Sequence, residues 1–101
     1  MSVQKVNSEN FEAVKGSEKT VLLDFYADWC GPCRMVAPVV EEIAKERDDV
    51  LVGKINVDEN PELANTFGVF SIPTLVVMKN GAVVRQEAGA RPKAMILDML
   101  K

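Results

Sequence analysis

The spacing of apolar and polar positions changes several times along this chain, and each change predicts an element. Phe11 and Val14 share one face of a short first helix, with Asn7 or Ser8 as its cap and Gly16-Ser17 as its end. Residues 21–26 are almost wholly apolar, the pattern of a strand covered on both faces. A helical period returns over residues 34–46, where Met35, Val36, Val39, Val40, Ile43 and Ala44 fall on one side. Pro38 lies inside this helix and predicts a kink, because its ring conflicts with the carbonyl of Arg34. Residues 51–57 read as the next strand. Asn60 is placed to cap a short helix with Pro61 at its first position and Gly68 at its end. Asn80-Gly81, between the apolar runs 74–78 and 82–85, predicts a hairpin. Pro92 opens a last helix carrying Met95, Ile96, Met99 and Leu100.

The resulting order is strand–helix–strand–helix–strand, then helix, hairpin and helix. Parallel strands joined by helical crossovers need helices on the faces of the sheet, and an antiparallel hairpin at one edge makes the sheet mixed. The class is α/β, in a single domain over residues 1–101. A hydrophobic fraction of 48% is enough to build a core without a stapling disulfide. The net charge of −3 comes with no Lys/Arg cluster, so a track for nucleic-acid phosphates is not expected. No apolar stretch is long enough to span a bilayer, and Met1-Ser2-Val3-Gln4-Lys5 has no apolar secretory region. A cytoplasmic location is the expectation.

The chemistry centres on the only two cysteines, in Trp29-Cys30-Gly31-Pro32-Cys33. They follow a strand and open a helix. A helix N-terminus carries unpaired N–H groups and partial positive charge, so a sulfur held there ionises more readily, and the thiolate is the form that reacts. The second sulfur is one turn away, within reach of a bond made by the first. A structural disulfide is a weaker reading, since so short a loop removes little denatured-state entropy. A zinc site lacks further good ligands, because the chain has no His and no other Cys. Haem attachment needs His after the second Cys, where Arg34 stands. Asp24 is the odd residue in its apolar strand, on the same face as Leu22 and Tyr26 and opposite Val21, Leu23 and Phe25. It either reaches water at the strand end or is buried, and burial would raise its pKa.

With Asp24-Phe25-Tyr26-Ala27-Asp28 ahead of the cysteine motif, Ile72-Pro73-Thr74, the turn Lys79-Asn80-Gly81, and Gly89-Ala90 before the last helix, the chain resembles the thioredoxin family along essentially its whole length. The resemblance implies a central mixed five-stranded sheet flanked by four helices. It also implies a protein-disulfide reductase that carries two electrons from a thioredoxin reductase to disulfide-containing target proteins. The electron source is NADPH-linked or ferredoxin-linked, no cofactor binds the chain itself, and the protein acts as a monomer.

Residue by residue, the resemblance makes Cys30 the exposed nucleophile and Cys33 the more covered resolving sulfur. It places Asp24 beneath them as the proton acceptor, with Lys54 as its partner; a solvated strand lysine is the alternative. It implies a cis bond before Pro73 and a shallow apolar contact patch built from Trp29, Gly31, Pro32, Ile72, Pro73, Gly89 and Ala90. Ser71 stands where a glycine is common, and Tyr26 where an extra Trp is common. Relatives that introduce or isomerise disulfides usually carry His between the cysteines, and Gly31-Pro32 argues against that role. A non-catalytic interaction module would use the same apolar patch without needing the sulfurs.

Overall fold

A computed structural model describes residues 2–101. Its elements are β1 (Gln4–Lys5), α1 (Phe11–Lys15), β2 (Thr20–Tyr26), α2 (Gly31–Glu46), β3 (Val50–Asn56), α3 (Pro61–Thr66), β4 (Thr74–Lys79), β5 (Ala82–Ala88) and α4 (Lys93–Met99). The strands form one sheet in the order β1-β3-β2-β4-β5. β3 runs parallel to β1 and β2, whereas β4 runs antiparallel to β2 and β5, so the sheet is mixed as expected.

β2 lies at the centre because it is apolar on both faces. Leu22 joins Val52, Leu75 and Val77 under the inward sides of α2 and α4, where Val36, Val40, Ile43 and Ile96 are buried. Val21, Leu23 and Phe25 face the other way, with Ile55 and Val76, under Val14 of α1 and Leu63 and Ala64 of α3. Burying such aliphatic side chains is the main source of stability in a domain of this size. β1 is only two residues long and both are exposed; it docks through its pairing with β3 and through the fully buried Val6 that follows it.

Several local signals work differently from their sequence reading. The side-chain oxygen of Asn7 accepts the N–H groups of Glu9 and Asn10 at 2.9 and 3.1 Å, so it closes the turn before α1 rather than capping the helix itself. Asn60 does stand at the head of α3, but its side-chain amide donates to the Asn56 carbonyl at 3.0 Å instead of capping. α2 runs without interruption through Pro38 and begins at Gly31, one turn earlier than the hydrophobic period shows. Gly68 ends α3 as predicted: it takes φ +66°, and the N–H groups of Gly68 and Val69 reach back to the carbonyls of Asn65 and Ala64. Asn80 and Gly81 both have positive φ, 53° and 78°, as a two-residue turn matched to the strand twist requires.

Candidate active site

The end of β2 and the start of α2 are joined by residues 27–30, and this junction places both sulfurs. The Cys30 N–H donates to the Ala27 carbonyl at 3.2 Å, which turns the chain sharply after the strand. Cys30 is the N-cap of α2, and its Sγ accepts the N–H of Cys33 at 3.2 Å. Pro32 in the first turn has no N–H to leave unpaired there. The sulfur of Cys30 therefore lies at the positive end of a 16-residue helix. Cys30 and Cys33 are joined as a disulfide, with Cα atoms 5.3 Å apart. The expected contrast in cover is small, since the two residues are 4% and 3% exposed. They differ in what they face. Cys30 lines an open surface groove, whereas Cys33 continues into the inward side of α2 with Val36 and Val40.

The groove has a volume of about 430 Å³. Trp29, Cys30, Gly31 and Pro32 form one wall, and Val57 with residues 69–72 forms the other. The Ile72–Pro73 peptide is cis, and the Ile72 carbonyl oxygen lies 3.8 Å from Cys30 Sγ. Around it, the Thr74 hydroxyl donates to the Ser71 carbonyl at 2.6 Å, and the Gly89 N–H donates to the Pro73 carbonyl at 2.8 Å. Gly89 has φ +100°, a backbone conformation that favours glycine. Ala90 belongs to a separate hollow of about 300 Å³ that it shares with Met35, Val39 and Pro92. Gly89 and Ala90 thus border the cysteine region without lining the groove itself, and Pro73, expected in the contact patch, is buried behind Ile72.

Trp29 is 68% exposed, yet its indole N–H donates to Asp58 Oδ2 at 2.8 Å. Asp58 is fixed in turn, because its own N–H donates to the buried Asn56 side chain at 2.9 Å. Sequence reasoning missed both residues. The available signal was a polar Asn56 ending an apolar strand, with an aspartate two positions later.

Asp24 is 3% exposed, and its Oδ1 has no hydrogen-bond partner. Burial pushes its pKa up from 3.8 to about 7, against the opposing pull of the Lys54 charge. The solvated reading of Asp24 is therefore excluded. Lys54 is its register neighbour on β3 and shares its face of the sheet. The ammonium, however, lies 5.8 Å from the Tyr26 ring centre, and among the described residues it makes no ion pair with Asp24. Asp24 lies on the sheet face that α2 covers, and Cys33 is on the side of α2 that covers it.

The family model for thioredoxin matches residues 2–101. The chain belongs to the thioredoxin family. A thioredoxin from Alicyclobacillus acidocaldarius is 50% identical over 97 residues, covering 91% of this chain and 92% of that protein. A solved thioredoxin variant from Halobacterium salinarum superimposes with a TM-score of 0.92 at 41% identity, covering 98% of this chain and 88% of that one. A bifunctional thioredoxin reductase/thioredoxin from Mycobacterium leprae is 47% identical over 98 residues, which are 96% of this chain and 21% of that protein. As a member of this family the chain is a thiol–disulfide oxidoreductase, and Cys30–Cys33 is its redox-active disulfide. Among the described residues, no cluster of His, Cys, Asp and Glu is arranged to hold a metal ion, and no helix is long and apolar enough to cross a membrane.

Proposed function

We propose that this protein works as a cytoplasmic, monomeric protein-disulfide reductase, with Cys30 as the attacking and Cys33 as the resolving sulfur. The observation that carries the assignment is the position of Cys30: it caps α2, lines the groove, and lies 3.8 Å from the Ile72 carbonyl. In the reduced protein, the Cys30 thiolate attacks a target disulfide. A bond forms between Cys30 and one target sulfur, the target S–S bond breaks, and the second target sulfur leaves as a thiolate. Cys33 then gives up its proton and attacks Cys30 Sγ. The mixed disulfide breaks, the remaining target sulfur leaves, and the internal disulfide closes. Two electrons have passed from the protein to the target. The short spacing makes the second step intramolecular, at high effective concentration.

Asp24 is the acceptor for the Cys33 proton in this scheme. A carboxyl that titrates at about 7 is poised to take up and release a proton near neutral pH. Lys54 acts on it through space. Trp29, Gly31, Pro32 and Ile72 form the contact surface for an extended target segment, with Gly89 and Ala90 at its border and the buried Pro73 supporting Ile72 from behind. Backbone pairing at Ile72 would tolerate many target sequences. In this reading the electrons come from a thioredoxin reductase, NADPH-linked or ferredoxin-linked, and the cofactors belong to that partner. The fused reductase and thioredoxin of the Mycobacterium leprae relative support that pairing.

Insulin reduction, driven by a flavoenzyme reductase and NADPH, tests the reading. Wild-type protein should reduce insulin catalytically, and Cys30→Ser should abolish the reaction. Net oxidation of dithiols by the wild type in a glutathione buffer, in place of insulin reduction, would overturn it.

A further inference from the structure

We propose that Phe70 is a specificity-determining residue, which favours target disulfides with an apolar side chain beside the attacked cysteine. The proposal rests on the reductase reading above and deepens it. The chain has four phenylalanines. Phe11 and Phe25 both pack against Phe67, with ring centres 5.6 and 5.2 Å from it. Phe70 is 95% exposed and still belongs to the groove wall beside Cys30. An aromatic ring in water gains from burial when a partner covers it, and aromatic residues, Phe included, are enriched at interfaces relative to the rest of the surface.

Its position sets which part of a target it meets. The Ile72 carbonyl lies against the sulfur that forms the mixed disulfide. Phe70 is two residues earlier in the chain, a span of at most about 7 Å. A target segment seated along Ile72 therefore brings the neighbour of its attacked cysteine within reach of the Phe70 ring. No residue lining the groove carries a charge. Ser71 is the one hydroxyl among the lining residues, so a polar neighbour would lose water there for few partners, whereas an apolar one would be buried against the ring.

The test uses two peptides with the same disulfide, one with leucine and one with asparagine next to the attacked cysteine. The two side chains have nearly the same size and no charge. Wild-type protein should show a kcat/KM about tenfold higher for the leucine peptide. Phe70→Ser should bring the two values to within about twofold of each other, while Phe70→Leu keeps most of the preference. A general structural defect would lower both values together and leave their ratio alone. An unchanged ratio in Phe70→Ser, with both peptides still reduced, would overturn the role of Phe70 and leave the reductase reading standing. Failure of the wild type to reduce either peptide would overturn both.

Discussion

Asp24 shows how far a residue's chemistry depends on its surroundings. A carboxyl in water titrates near 3.8; here, under α2 and without a partner for Oδ1, it titrates at about 7. Because the folded pKa is raised, its contribution to stability is full below the unfolded value and is lost as pH rises through the folded one. Across that interval the loss is on the order of 4 kcal/mol. Asp24→Asn should remove this dependence. Unfolding of the oxidised proteins in urea should give similar stabilities at about pH 4, and a variant more stable by a few kcal/mol at about pH 8. Parallel pH profiles for the two proteins would contradict the burial argument. The face on which Asp24 lies was legible from alternation along β2, but its isolation was not, because that depends on the covering helix. Asp58 was less legible still. Its bond to Trp29 joins positions 29 residues apart and leaves no local pattern.

Among the elements, those with strong periodicity matched their sequence readings to within a few residues, and those held by partners did not. β2, β3, α3 and the β4–β5 hairpin carry their own signals in apolar runs, Pro61, Gly68 and Asn80-Gly81. The first turn of α2 has no apolar period, since it is built from Gly31, Pro32 and Cys33; the cap at Cys30 starts it. β1 has no pattern at all and exists through its docking. Gly53 on β3 makes that docking possible. A Cβ there would lie 2.6 Å from Val6 Cγ2 and 3.2 Å from Leu23 Cδ2. Both neighbours are fully buried, so making room for it means repacking the core on either side. Gly53→Ala is therefore expected to lower the unfolding free energy by about 1–3 kcal/mol through overpacking. A shift of the denaturant midpoint at constant slope would check it. An unshifted midpoint would mean that the edge of the sheet relaxes freely around β1.

At the scale of the molecule, the topology gathers the chemistry at one end of the sheet. Parallel β2 and β3 both finish there, delivering the cysteine motif from one and Asn56, Val57 and Asp58 from the other. Antiparallel β4 starts at the same end, just after the cis Ile72–Pro73 bond. Open α/β sheets place their sites beyond the carboxyl ends of parallel strands, and this fold does the same. The sulfurs were readable because only two residues, Gly31 and Pro32, separate them along the chain. The groove wall at Val57 and Val69 was not, because only the folded chain brings those loops together. The central claim is that Cys30 attacks and Cys33 resolves. Each reduced single-cysteine variant can be mixed with an excess of insulin and its adducts weighed by mass spectrometry. Cys33→Ser should accumulate a mixed disulfide through Cys30, and Cys30→Ser should stay unmodified. Adducts through Cys33 in Cys30→Ser, with none in Cys33→Ser, would contradict the account.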